Sequence, residues 1–318
     1  MLSPVKPSHN RRCARHDYRS PCIYMITMTK APGVPDFSEV LPNPLWTPAD
    51  PVSNQAYTRQ SSLGRKILLE LSAIQRRNPS LRVYRRAIMP DHIHFLLHVM
   101  RPLDEPIGIF LRDFKGRCAA HNDNRPVFTP GFNDRILWHK GQLETFNNYI
   151  LDNPRRLYLR RAHPEYFSRV CRLEISGREY SAFGNLFLLR NPTRAAVVIR
   201  SSFSPEKLQG LYALWEEVSR SEGVLVSPFI SQKEKAVREA GLRAGASIIH
   251  LLDNGFPPRY KPSGRDFGLC CEGRLLEIAP VEYSSQKKPL RREAALALND
   301  LAMAIAALPA GEALKGRF

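Results

Sequence analysis

The 318-residue chain is 43% hydrophobic and 24% charged, a globular composition with length for two domains. It holds no run of roughly 18 apolar residues, which argues against a membrane-spanning helix. Its 47 Lys and Arg against 30 Asp and Glu leave a formal charge of +17, and such an excess favours a polyanionic partner. The excess is uneven: residues 1–170 carry 26 basic and 14 acidic side chains. Arg dominates, and its planar fork suits phosphate. The 6 cysteines (13, 22, 118, 171, 270 and 271) form no CxxC pair, which argues against a zinc ribbon and fits a reducing cytoplasm.

Residues 1–16 read as a basic, flexible tail without the apolar stretch of a secretory signal. The segment 22–29, CIYMITMT, is rich in β-branched and aromatic residues and predicts a strand. A Pro-rich loop is expected over 31–51. Leu63, Ile67, Leu68, Leu71 and Ile74 form one stripe of a helix over 61–77, closed by Asn78-Pro79. Strands follow at 82–88 and 92–99, joined by a turn at Met89-Pro90-Asp91. A second helix is expected over 106–120, a short strand within 128–137, and a third helix over 140–151, stopped near Asn153-Pro154. The order strand–helix–strand–strand–helix–strand matches the α+β ferredoxin-like motif.

Beyond residue 168 the pattern changes. Short apolar runs at 196–200, 224–228 and 248–252 alternate with helices over 205–220 and 232–244, and a last helix spans 291–307. This spacing predicts a separate α/β domain over 169–318 with a parallel sheet. The first domain is expected over 17–168.

His92-Ile93-His94 is the focal point for chemistry. Residues two apart on a strand share a face, and two imidazoles on one face can share a divalent metal. Two half-exposed strand histidines are the plainer reading of the pair. His98 lies on the same face further along. Tyr149 and Asn153, four apart on the third helix, lie together if the helix continues. A tyrosine hydroxyl can attack phosphorus, and the Asn153 carbonyl oxygen suits Mg²⁺ or Mn²⁺ as a third ligand. Arg85, Arg86, Arg112, Lys115, Arg117, Arg155, Arg156 and Arg160 surround these segments. Tyr158 and Tyr166 are interleaved with the last of them. Basic and aromatic side chains together suit single-stranded DNA.

The segment 84–99, YRRAIMPDHIHFLLHV, resembles the HUH motif region of single-tyrosine transposases. YILDNP at 149–154 resembles that family's tyrosine helix. The match is nearest to the REP-associated tyrosine transposases, relatives of small insertion-sequence transposases, and covers about residues 15–165. It also includes Asp17-Tyr18-Arg19-Ser20 and Phe132-Asn133-Asp134-Arg135-Ile136.

The resemblance implies a ferredoxin-like fold, with His92, His94 and Asn153 as ligands of Mg²⁺ or Mn²⁺. It implies Tyr149 as the nucleophile that forms a 5′-phosphotyrosine link. It further implies single-stranded DNA with hairpin or repeat structure as the partner, and a cytoplasmic, nucleoid-associated protein. Members of the family act as monomers or as homodimers. Asp91 stands where the family carries Asn, and Arg155-Arg156-Leu157 follows Asn153-Pro154 where a glycine is common. A domesticated protein that holds hairpin DNA without cutting it is the alternative. The C-terminal half weakly resembles the Rossmann-like domain of DNA-processing protein A, although no GxGxxG or GxxxxGK[ST] loop is present.

Overall fold

The alternation in the first strand decides which face is buried. In β1 (Cys22–Thr29), Tyr24, Ile26 and Met28 enter the main core, while Met25 joins a smaller cluster on the opposite face. β4 (Leu81–Ile88) and β5 (His92–Val99) repeat the pattern: Ile93, Phe95, Leu97 and Val99 face the main core, and Leu96 faces away.

The computed structural model describes residues 13, 15–258, 260–286, 289–309 and 316–317. Of the expected basic tail, 1–12 and 14 lie outside the described residues. The chain divides into two compact units, Met1–Leu159 and Arg160–Phe318, where the sequence reading put the division after residue 168.

In the first unit, β4, β5, β1 and β6 (Asn133–Ile136) form an antiparallel sheet in that order. α1 (Ser62–Arg77) and α2 (Ile107–Ala120) cover one face through Ile67, Leu71, Ile107, Leu111 and Phe114. α3 (Gln142–Ala162) covers the other, where Ile150 and Phe146 pack with Met25, Ala87, Met89 and Leu96. Of the eight residues of β5, the two histidines of the HxH pair therefore stand on the α3 face.

The Pro-rich segment expected as a loop contains β2 (Ser38–Pro42), which pairs antiparallel with β3 (Ala56–Gln60). Phe37 is fully buried beside it, and Ser38 Oγ donates to the Ile88 carbonyl at 2.7 Å. That tether gives a polar hairpin its hold. The third helix does not stop at Asn153-Pro154 but carries Pro154 inside it. A helical proline removes one backbone donor, the one aimed at residue i−4. For Pro154 that residue is Ile150; the Asn153 side-chain amide donates one position earlier, to the Tyr149 carbonyl at 2.8 Å, and burial of Ile150 and Leu159 keeps the helix anchored on both sides of the proline.

The α1 start passes close to the β2 hairpin. A Cβ added at Gly64 would lie 1.9 Å from the Phe37 carbonyl oxygen, and that backbone is held by Ser61. Gly64→Ala is expected to cost about 3 kcal/mol, read as a lowered urea midpoint with an unchanged slope.

The second unit holds a seven-stranded sheet among the described residues, in the order β13 (Gly316–Arg317), β7 (Ser168–Ile175), β8 (Arg178–Gly184), β12 (Leu275–Pro280), β11 (Ser247–Leu251), β10 (Val224–Ser227) and β9 (Arg194–Ala196). β9, β10, β11 and β12 are parallel. The sheet is nonetheless mixed, since β7, β8 and β13 run antiparallel. α4 (Pro205–Arg220), α5 (Gln232–Ala244) and α6 (Gly264–Cys271) pack on one face through Trp215, Val237 and Leu269. α7 (Arg292–Ala306) packs on the other through Leu298, Leu301 and Ile305. The parallel strands follow chain order without reversal, so they form no switch point of the kind that binds nucleotides in doubly wound sheets. Cys270 is fully buried, as packing rather than pairing. No described helix is long and apolar enough to cross a membrane.

Candidate active site

β1 and β5 pair so that Thr27 lies opposite His94 and Thr29 opposite His92. This register places a hydroxyl beside the second histidine. The Thr27 Oγ1 to His94 Nδ1 distance is 2.8 Å. One residue before β5, the Asp91 carboxylate accepts from His92 Nδ1 at 2.7 Å. The two imidazole rings are 4.4 Å apart, edge to face. Each histidine thus has its Nδ1 engaged by a neighbour, which leaves Nε2 as the ring nitrogen to offer a ligand. When His94 Nδ1–H donates to the Thr27 hydroxyl, Nε2 keeps its lone pair, as a metal ligand requires.

His94 is only 7% exposed. Burial, reinforced by the nearby His92, pushes its pKa down to about 3, so the ring is neutral across the physiological range. Burial of Asp91 opposes ionisation, but its bond to His92 and the charges of His92 and Lys30 hold its pKa below the usual carboxylate value.

The depressed His94 value predicts an acid limb. The folded ring stays neutral down to about pH 3, whereas the unfolded ring takes a proton near 6.5. Stability should therefore fall as pH drops from 6.5 toward 3. In urea titrations across that window, His94→Gln should flatten the limb relative to wild type.

α3 brings Tyr149 over the pair. Its ring centroid is 5.6 Å from that of His94, and the residue is 39% exposed. Asn153, one turn later and 7% exposed, has its amide nitrogen on the Tyr149 carbonyl. That leaves its carbonyl oxygen as the atom able to ligate. Arg156 is 8% exposed, with its guanidinium carbon 5.8 Å from the Tyr149 ring centroid. Two imidazoles and one amide oxygen are donor types that suit a divalent cation. Among the described residues, no three His, Cys, Asp or Glu side chains gather as such a set, and the amide of Asn153 falls outside that chemistry.

His98 shares the face but lies four residues beyond His94, about 13 Å along the strand. It stacks on Tyr84 at 5.5 Å and bonds to its hydroxyl at 3.1 Å.

The cations expected to hold DNA divide into two groups. Arg86 and Arg112 are exposed, as is Arg117, which pairs with Asp113 at 2.9 Å. The rest brace the fold. Arg85 Nε donates to Asn147 at 2.7 Å, joining β4 to α3. Lys115 donates to the Thr129 carbonyl at 2.6 Å and to that of Gly131. Arg155 binds Gln55 at 3.1 Å and Asp152 at 3.3 Å. Arg156 is buried against Tyr149, and Arg160 is half-buried at the start of the second unit. Burial with internal partners uses up donors that exposure would have offered to phosphate. Thr27 carried no sequence signal, because strand register joins residues 67 positions apart.

No family model matches the sequence, and no curated protein is similar to it. A solved structure of a REP-associated tyrosine transposase bound to a REP hairpin aligns at 12% identity, with a TM-score of 0.33, over 46% of this chain and 74% of that one. A likeness this slight carries no weight for mechanism, and the functional reading rests on the side chains.

Proposed function

We propose that the first unit is a ferredoxin-like HUH nuclease domain that cleaves single-stranded DNA of hairpin or repeat structure through Tyr149. The observation that carries this reading is the gathering of three groups on one sheet face, edge to face: His92 against His94 at 4.4 Å, and Tyr149 against His94 at 5.6 Å. A packing role alone would not explain the exposed Tyr149, the neutral His94 and the two partners on Nδ1.

His92, His94 and Asn153 would hold Mg²⁺ or Mn²⁺, which when bound supplies Lewis acidity to a phosphate. Tyr149 Oη attacks the scissile phosphorus, an Oη–P bond forms and the P–O3′ bond breaks. In the net reaction the proton lost by the phenol is matched by the one gained by the departing 3′-oxygen, which ends as a hydroxyl. The product is a 5′-phosphotyrosine link, and return attack by a 3′-hydroxyl transfers the strand. Asp91 and Thr27 orient the rings, and Arg156 holds the Tyr149 ring in place. Exposed Arg86 and Arg117 approach the phosphates, and DNA as substrate places the protein at the nucleoid.

For the second unit, parallel strands between α4–α6 and α7 fit a Rossmann-like, three-layer arrangement. The unreversed strand order gives no reason to assign it a nucleotide.

The test is incubation of end-labelled hairpin DNA, with single-stranded flanks, in Mg²⁺, Mn²⁺ or EDTA. Cleavage with either metal and none in EDTA is expected. Tight binding without cleavage in any metal would establish a non-cutting hairpin-binding protein instead.

A further inference from the structure

α2 and the segment before β6 leave an open groove of about 800 Å³, lined by Gly108, Arg112, Gly116 and Ala119 on one side and Phe128 and Phe132 on the other. Its walls are mainly apolar and aromatic, with the exposed Arg112 at the rim. We propose that this groove receives an unpaired base of the DNA strand that Tyr149 cleaves, with Arg112 contacting the adjoining phosphate. The inference rests on the cleavage reading above and names a specificity subsite for it.

Three observations point to this occupant. The first is chemical. Aromatic and apolar walls with a cation at the rim match a base joined to a phosphate, and base–aromatic contact is tolerant of sequence. Lys115 stands beside Arg112, its ammonium 6.0 Å from the Phe128 ring centroid and anchored on the Thr129 and Gly131 carbonyls. It fixes the aromatic wall and adds positive charge to the rim. The second is position. Thr27 pairs with His94 on one side and with Asn133 of β6 on the other. Two strand spacings of about 4.8 Å put Asn133 about 10 Å from His94, and Phe132 is the next residue. β6 is the last strand of the sheet, so a DNA strand leaving the histidine face reaches the groove around that edge. The third is room. A Cβ added at Gly116 meets no heavy atom within 4 Å, and one at Gly108 only Phe132 Cε1 at 4.0 Å. Packing inside the chain does not require glycine at either place, although glycine in a helix costs about 1 kcal/mol against alanine.

Gly116→Leu adds bulk to the groove wall at a position where an added Cβ meets nothing within 4 Å, and circular dichroism and thermal melting should show a helix at least as stable as wild type. The experiment uses full-length protein carrying Tyr149→Phe, so that binding is read without cleavage. Hairpin DNA with single-stranded flanks is made with one abasic site at each flank position in turn, and affinity is measured by fluorescence anisotropy.

One flank position should respond, binding about tenfold more weakly when abasic. Gly116→Leu should bind the intact DNA about tenfold more weakly and lose that position's response. Arg112→Ala should lower affinity and reduce the salt slope by about one. If no position responds, or if Gly116→Leu reproduces the wild-type abasic profile, the groove holds something else and the proposal is overturned. Adduct formation by protein with Tyr149 intact is scored in parallel. Adducts with a flat abasic scan sink the subsite alone, whereas a responsive scan without adducts sinks the cleavage reading alone. Failure to bind any single-stranded DNA sinks both.

Discussion

Tyr149→Phe protein is expected to bind hairpin DNA with wild-type affinity and to form no covalent adduct with it. The substitution removes one oxygen from a ring that is 39% exposed. The hydroxyl has no hydrogen-bond partner among the described residues, so its loss strands no buried group. The ring itself keeps its contacts with His94 and Arg156. Folding should therefore change by no more than about 0.5 kcal/mol. Cleavage should fall by at least about 10⁴-fold, because the Thr27 hydroxyl beside His94 is engaged by the ring's Nδ1 and does not replace the nucleophile. Denaturing gels give the adduct yield, and anisotropy gives the affinity. Wild-type adduct yield from Tyr149→Phe would move the nucleophile elsewhere.

His92→Ala should remove metal affinity and cleavage together. His92 is the better choice for this test than His94, whose burial and bond to Thr27 make an alanine there a stability change as well. Loss of a direct ligand should exceed the 10–100-fold in metal affinity that loss of an outer partner costs. Mn²⁺ titration followed by electron paramagnetic resonance reads that affinity without any turnover. Asp91→Asn keeps a hydrogen-bonding group on His92 Nδ1 and should fall between wild type and His92→Ala. Unchanged Mn²⁺ affinity in His92→Ala would remove the histidine pair from the metal site. Raised Mn²⁺ should restore part of the His92→Ala activity and none of the Tyr149→Phe activity, since excess metal offsets a weakened site but supplies no nucleophile.

What the sequence revealed followed from local composition and periodicity. β1 was legible from its β-branched and aromatic content, and the HxH spacing in β5 placed both histidines on one face. α1 and α2 were legible from their 3.6-residue stripes. Tyr149 and Asn153 were placed together by helical spacing, and that held only because α3 continues through Pro154. The signal that misled was the proline itself, which ends most helices but here falls where Ile150 and Leu159 bury the helix on both sides of it.

Non-local features stayed hidden. The β2–β3 hairpin is held by Phe37 and by a bond from Ser38 to a carbonyl 50 residues away. β7 and β8 pair with a shift of register between Val170 and Leu173, which breaks the alternation that would have marked them. β12 was a short apolar run without a periodic signature. The roles of Thr27 and Arg156 depend on which strand and which ring each meets, and neither can be read from spacing. Arg155 and Arg156 looked like phosphate ligands by charge alone, and burial gave them internal partners.

The central claim is that Tyr149 is the group that becomes joined to DNA. Its most direct test is to digest the Mg²⁺- or Mn²⁺-dependent protein–DNA adduct with protease and nuclease and to locate the modified residue by mass spectrometry. The account predicts a nucleotide 5′-phosphate on the peptide containing Tyr149 and a free 3′-hydroxyl on the released DNA. A phosphate on any other residue, or a cleaved strand with no protein attached, would contradict it.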